Sequence, residues 1–549
     1  MRDGVVLSAD VYRPEGDRPV AAIVNRTPYD RGRRLTPPAA LDPEKATAAG
    51  FALVCQDVRG QFGSDGDFYP FRAEAADGFD TVEWVAAQPW CTGRVAMAGR
   101  SYSAATQWMA AVERPPHLAA IFPVVTGASL FHGWVYQGGA FQFGFNLFWI
   151  QLMTPRARGS LTEQYRHLPI RDPPLAGGPA GPYYRDWLDH QVDDDYWQEL
   201  SIDRRYADVA VPAYIVGGWY DLFLKGTLEN YRAVRDHGGS EAARAQTRLL
   251  VGPWAHGSTY GEFPDKSFPV FGGSDRIDVA RIQIDFYRRH CGDGGEPADP
   301  DEAPVRLFVM GENRWREEAD WPLARARATP WFLHSDGDAA GGGGGGSLST
   351  VEPGAEPVDA YVYDPNDPAP TIGGPASLPG RVLQTNAGPL DQRPLEGRPD
   401  MLVYSSAPLA EPVEVTGPLV CVLHASTTGL DTDFVAKLCD VDPDGESRIL
   451  AEGILRGRFV RGFDAPRPLE PGRAYEYRID LVATSNLFLT GHRIRLIVTS
   501  SSFPRFDRNA NTGRRLGEDG PDDLVRVEQT VFHDEAHPSH VLLPIVDRA

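Results

Sequence analysis

The strongest constraint on this chain is a change of rhythm near residue 296. Before it, short apolar runs alternate with segments of helical period; after it, no helical period of any length recurs. The runs 21–24, 51–55, 95–98, 118–125, 213–217 and 247–251 are apolar almost throughout. Strands buried on both faces of a parallel sheet read that way. Residues 77–88, 103–112, 222–235 and 279–291 carry helical spacing between or after them, which predicts an α/β sheet. Beyond 296 come short alternating runs at 305–310, 360–363, 419–424, 434–439, 475–481, 494–500, 525–532 and 541–545. Gly, Pro and Asp punctuate them, as in an antiparallel sandwich or jelly roll.

One stretch breaks the first rhythm. Eight aromatics crowd the segment from Phe131 to Trp149 (Phe131, Trp134, Tyr136, Phe141, Phe143, Phe145, Phe148, Trp149), with Pro- and Gly-rich pieces and a helix-like stretch at 183–200 behind them. Strands are lacking there. The reading is a mostly helical insertion between two strands, most of its aromatics packing the insertion's own core. At 549 residues the chain exceeds one core. The expected architecture is an α/β core (1–126 and 206–295) interrupted by a helical cap (127–205), then an all-β jelly roll at 304–549. A linker is expected at 296–303 and a surface loop at the six glycines 341–346.

Composition narrows the function classes. No run of 18 apolar residues predicts a transmembrane helix, and the N-terminus carries no secretory signal pattern. A formal net charge of −21 opposes nucleic acid as a partner, since phosphate binding needs a basic face. Cys55, Cys91, Cys291, Cys421 and Cys439 form no C-x-x-C pair. They read as reduced thiols of a cytoplasmic protein, with neither a zinc site nor a disulfide framework. Oligomeric state stays open, a homodimer included.

The chemistry centres on residues 95–108. An apolar strand runs into Gly99, then Ser101, then a helix stopped by Pro115 and Pro116. Strand, sharp turn with serine, then helix is the setting of a nucleophile elbow. A serine needs a base, and the base an orienting acid. In a doubly wound sheet both belong at carboxyl ends of strands. Asp221 follows the run ending at Tyr220, and His256 the run ending at Ala255. Singly, Asp221 reads equally as a helix N-cap and His256 as a loop histidine. Together they stand in the hydrolase order Ser101, Asp221, His256. An oxyanion would take the Tyr102 N–H as one donor and a group from the loop at 25–30 as the other. Tyr29 could offer a phenolic O–H there, although a tyrosine after Pro28 reads more readily as packing.

The motifs Met1-Arg2-Asp3-Gly4-Val5, Thr27-Pro28-Tyr29-Asp30, Gln56-Asp57-Val58-Arg59-Gly60, Gly99-Arg100-Ser101-Tyr102-Ser103-Ala104, Gly218-Trp219-Tyr220-Asp221 and Gly252-Pro253-Trp254-Ala255-His256 resemble the CocE/NonD family of serine hydrolases, related to X-Pro dipeptidyl peptidases. Asp431-Thr432-Asp433-Phe434, Ala483-Thr484-Ser485-Asn486 and Phe503-Pro504-Arg505-Phe506-Asp507-Arg508-Asn509 extend the resemblance into the second half. It implies Ser101 as nucleophile, His256 as base, Asp221 as its orienter, and Tyr29 with the Tyr102 N–H as oxyanion hole. It further implies Gln56 beside Tyr29, and Trp134 and Phe223 lining the substrate pocket. The implied fold is an α/β-hydrolase core, a helical cap and a galactose-binding-like jelly roll. The implied reaction is hydrolysis of a small ester or amide by water, with no metal or organic cofactor. Two other readings stand beside it. One is an X-Pro-type peptidase whose cap carboxylates, Asp193-Asp194-Asp195, would hold a substrate amine. The other is a carbohydrate-binding protein with an idle hydrolase domain.

Overall fold

The computed structural model describes residues 1–32, 41–154, 160–174, 181–292, 302–341, 345–378 and 386–547. Its first sheet has nine strands. In chain order they begin β1 (Ala9–Tyr12), β2 (Val20–Thr27), β3 (Ala52–Asp57), β4 (Cys91–Arg100) and β5 (Leu118–Val124). A two-strand hairpin follows, β6 (Tyr136–Gln137) and β7 (Ala140–Phe141), and the sheet resumes with β8 (Tyr214–Tyr220) and β9 (Arg248–Ala255). It closes with β10 (Val305–Val309) and β11 (Arg314–Glu318). The spatial order is β1-β3-β2-β4-β5-β8-β9-β10-β11, parallel except for β1 and β11 at the two edges. Every residue of β8 and β9 is buried. Their largely apolar character, broken by Arg248 at the start of β9, suits strands covered on both faces.

The helices are α1 (Pro43–Ala48), α2 (Glu74–Ala86) and α3 (Tyr102–Val112), then α4 (Phe143–Met153), α5 (Leu161–Arg166), α6 (Pro182–Asp189) and α7 (Asp195–Leu200) of the insertion. Returning to the core are α8 (Leu224–His237), α9 (Glu241–Gln246) and α10 (Val279–Cys291). The helix-like stretch 183–200 is two helices, α6 and α7. The insertion also contains the β6–β7 hairpin, which aromatic composition alone did not indicate. At the N-terminus, the alternation from Val5 yields a strand only from Ala9.

The expected jelly-roll boundary at 304 is corrected. The run 305–310 supplies β10, which pairs in parallel with β9 (Val305 opposite Leu249) and so extends the first sheet. An alternating apolar strand does not declare which sheet it joins. The border falls after Glu318. The remaining strands, β12 (Ala326–His334) to β22 (His540–Val546), form a second, all-β unit of eleven strands. Its fifteen-residue strand Val413–Thr427 pairs along one side with Tyr475–Phe488 and on the other with Val527–Phe532 and His540–Val546. Residues 296–301 of the expected linker and glycines 342–344 lie outside the described residues, while Gly346 begins a strand. Four of the five cysteines are buried, and none is in a disulfide. No helix among the described residues is long and apolar enough to cross a membrane.

The all-β unit grips the insertion. Gly144 N–H donates to the Pro504 carbonyl at 2.8 Å, and Arg456 N–H to the Gly138 carbonyl at 2.8 Å. Phe141 N–H donates to the Asp507 carboxylate at 2.8 Å, and Asp507 N–H returns to the Phe141 carbonyl at 3.0 Å. The Arg505 guanidinium reaches Gln137 at 3.1 Å. Gly138 has φ +54°, and a Cβ there would collide with the Ile454 carbonyl. Only glycine lets the hairpin approach so closely.

Candidate active site

Ser101 sits between β4 and α3 with φ 58° and ψ −121°. A non-glycine residue held there stores roughly 1–3 kcal/mol of strain, and the surroundings must enforce it. Two features do so. Ser101 N–H donates to the Val124 carbonyl at 2.9 Å, and its own carbonyl accepts from the Ala104 and Ala105 amides. Gly99, at φ +146°, lets strand and helix nearly touch: a Cβ there would lie 2.6 Å from both Cβ and the carbonyl oxygen of Ser103. α3 is buried along its whole length, which accounts for its run of small residues, Ala104, Ala105, Ala110 and Ala111.

The same sheet edge delivers the partners. Asp221 directly follows β8, and His256 directly follows β9. His256 Nε2 lies 3.0 Å from Ser101 Oγ, and Nδ1 lies 2.9 Å from Asp221 Oδ2. The other carboxylate oxygen of Asp221 accepts the Phe223 N–H at 2.7 Å. A carboxylate facing Nδ1 fixes that nitrogen as donor and leaves Nε2 free to accept from the serine hydroxyl. The three residues named from strand ends thus meet in one hydrogen-bonded line.

Tyr29 lies two residues past the end of β2. Its hydroxyl accepts the indole N–H of Trp149, on α4, at 3.0 Å and also interacts with the Ser101 hydroxyl. Burial raises the Tyr29 pKa, against the pull of the Trp149 and Ser101 hydrogen bonds and the Arg100 charge. The phenol therefore keeps its proton. Arg100, beside Ser101 in the chain, has its own pKa lowered by burial, with Asp221 and Tyr29 opposing the shift. The Tyr102 N–H stands in the first turn of α3, where the helix supplies no acceptor. The Tyr102 hydroxyl donates to Glu74 at 2.9 Å and accepts the Phe71 N–H at 2.9 Å, which anchors its ring.

Trp134 and Phe223 stack with centroids 4.2 Å apart, and the Phe223 ring meets the His256 ring edge-on at 5.1 Å. Phe145 of α4 adds a second edge contact to His256 at 6.2 Å. Such pairs contribute about 0.5–1.5 kcal/mol each beyond buried area. Trp134 is fully buried and its indole N–H has no partner among the described residues. Gln56 lies on β3. Its carbonyl accepts from Arg26 Nε and the Thr81 hydroxyl, both at 2.9 Å. Arg26 in turn pairs with Glu74 at 2.7 Å. Gln56 thus joins the buried Arg26–Glu74 pair that also anchors the Tyr102 hydroxyl. Phe145, Trp149 and Glu74 were not singled out from sequence; the first two were submerged in the aromatic run. Among the described residues no three His, Cys, Asp or Glu side chains converge to hold a metal ion.

Fold and site together define an α/β-hydrolase organised around a serine on a strained turn. The family model for X-Pro dipeptidyl-peptidase (S15 family) matches residues 3–258, and that for the X-Pro dipeptidyl-peptidase C-terminal non-catalytic domain matches 299–542. The cocaine esterase of a Rhodococcus species is 38% identical over 573 residues, covering 100% of this chain and 97% of that protein. A solved aminopeptidase from a marine sediment Thaumarchaeota archaeon shares the fold with a TM-score of 0.85 at 27% identity, covering 100% of this chain and 95% of its own. A solved α-amino acid ester hydrolase does so at 0.85 and 26%, covering 99% and 95%. The chain belongs to the CocE/NonD family of serine hydrolases.

Proposed function

We propose that this enzyme hydrolyses a small carboxylic ester through a Ser101 acyl-enzyme. The observation that carries this reading is the line Ser101 Oγ, His256 Nε2, His256 Nδ1, Asp221 Oδ2, with both gaps at hydrogen-bond length. Ser101 Oγ attacks the ester carbonyl while His256 Nε2 takes its proton. The carbonyl oxygen becomes an oxyanion, held by the Tyr29 O–H and the Tyr102 N–H. The tetrahedral adduct collapses, and the leaving alkoxide departs with the proton from His256. Water, deprotonated by the same imidazole, then releases the acid and restores Ser101. Trp134, Phe145, Phe223 and Trp149 favour a bulky apolar or aromatic group beside the carbonyl.

An amine-directed reading is favoured by the relatives named as an aminopeptidase and an α-amino acid ester hydrolase. The cap carboxylates on which it rests are otherwise engaged. Asp193 pairs with Arg204 at 2.9 Å and faces His132 at 3.6 Å, while Asp194 binds His190 at 2.6 Å. Asp195 opens α7 on the surface. The ester reading is therefore the better supported. A fluorophosphonate probe should label the wild-type enzyme at one site, and Ser101→Ala should abolish both labelling and turnover of an aryl ester. Retained turnover in that variant would overturn the proposal. Equal rates on acetylated and free-amine substrates would set aside the amine-directed reading.

A further inference from the structure

The oxyanion side of the site contains a residue from outside the hydrolase core. Trp149 lies on α4, 120 positions from Tyr29 in the chain, and its indole N–H reaches the Tyr29 hydroxyl oxygen at 3.0 Å. We propose that Trp149 is a positioning residue of the oxyanion hole: its N–H occupies an acceptor lone pair of the Tyr29 hydroxyl and so directs the tyrosine proton at the developing oxyanion. This rests on the reading of Tyr29 as an oxyanion donor.

Hydrogen-bond inventory supports the assignment. An indole N–H is a donor only, whereas a phenol has one proton to give and lone pairs to receive. Because Trp149 cannot accept, the Tyr29 proton points away from the indole, and the Ser101 side chain is the other group that acts on this hydroxyl. Donation into a hydroxyl oxygen also polarises its O–H and strengthens the bond it gives in turn. Burial keeps the phenol protonated, so the group stays a donor. An unassisted tyrosine could rotate its proton away from the reaction, and fixing that rotor before the charge forms is the preorganisation that oxyanion holes depend on. The same indole lies over the Tyr102 ring, with centroids 5.9 Å apart and planes 14° from parallel. It therefore touches the side chains of both proposed donor residues. Trp149 inherits its position from the all-β unit, since Gly144 at the start of α4 is tied to Pro504 at 2.8 Å.

A double-substitution cycle tests the proposal. Wild type, Tyr29→Phe, Trp149→Phe and the double variant are assayed on an aryl ester, with kcat and KM separated and melting temperature recorded. Tyr29→Phe is expected to lower kcat by about 10²–10³. Trp149→Phe keeps an aromatic ring in place and should lower kcat about tenfold with KM within about twofold, a loss confined to the transition state. In the Tyr29→Phe background it should change kcat by less than about twofold, because the proton it directs is gone. Equal losses in both backgrounds, or an undiminished kcat in Trp149→Phe alone, overturn the role given to Trp149 and leave that of Tyr29 intact. An undiminished kcat in Tyr29→Phe overturns the oxyanion reading itself. Should Trp149→Phe fold poorly, Trp149→His retains a ring N–H and is measured in both backgrounds; recovery of kcat beside Tyr29 but not beside Phe supports the role, and equal recovery in both refutes it.

Discussion

The two flanks of Ser101 are built in opposite ways. On the base side, the hydrogen bonds run from Ser101 to His256 to Asp221 and on to the Phe223 amide, all within the core sheet and its first loop residues. On the oxyanion side, Tyr29 comes from the core, its partner Trp149 from the insertion, and the insertion is fastened by the all-β unit through Pro504, Asp507 and Arg456. The hydrogen bonds of the first flank belong to one sheet, although Phe145 of the insertion packs edge-on to the imidazole. The second flank joins three parts of the chain by hydrogen bonds, so under the proposed oxyanion role a C-terminal unit that supplies no reacting group is tied to the group that holds the oxyanion. The difference teaches that the hydrogen-bonded line to the base needs only strand ends, whereas the Tyr29 hydroxyl takes its partner from a second part of the chain.

This contrast can be broken in order of effect. Asp221→Asn keeps the shape of the base side but puts the wrong donor pattern at His256 Nδ1, and kcat should fall by about 10⁴. A fall of less than tenfold in steady-state assays would remove Asp221 from the relay. Gly138→Ala attacks the other flank from a distance by pushing the hairpin off Ile454. Misplacement of about 1 Å should cost about 10² in kcat, while the core sheet keeps its circular-dichroism signal. Unchanged kinetics would show that the all-β unit does not act on the site.

The smallest effect lies in the all-β unit itself, remote from both flanks. His533 is fully buried, with Nδ1 3.1 Å from Glu356 and Nε2 3.0 Å from Asp359. Burial alone would push its pKa down, but hydrogen bonds and charge from Asp359 and Glu356 outweigh that and raise it. His334, also on Glu356, and Tyr404 and Ser335, both on Asp359, complete the cluster. A raised histidine pKa stabilises fully below the unfolded value of about 6.5 and loses that contribution as pH climbs through the folded value. Melting temperature of the wild type should therefore exceed that of His533→Gln most near pH 6, with the gap narrowing toward pH 9 and kcat unaffected. A gap that widens with pH would refute the paired, protonated histidine.

Much of the molecule was legible from residue order. The apolar strands, the helices between them and the Gly99–Ser101 turn have local causes: burial on both faces, 3.6-residue spacing, and a backbone approach that only glycine permits. Ser101, Asp221 and His256 were legible because each follows a strand, and strand ends of a parallel sheet share one edge. The hydrogen bonds of Gln56 were not legible in the sequence, because its partners Arg26 and Thr81 are set by how β2 and α2 pack. The run 305–310 was assigned to the wrong sheet for a related reason: nothing within five residues records which edge they extend. Trp149 was hidden among eight closely spaced aromatics, distinguished by what its N–H meets.

By itself, then, the sequence determined the layers of this protein and the residues of its base side, since short-range periodicity and strand order control both. Tertiary structure alone decided which group meets the Tyr29 hydroxyl and where the border between the two sheets falls. A hydrogen bond between residues 29 and 149 depends on the path of the whole insertion and on the unit that clamps it, and no local pattern carries that distance.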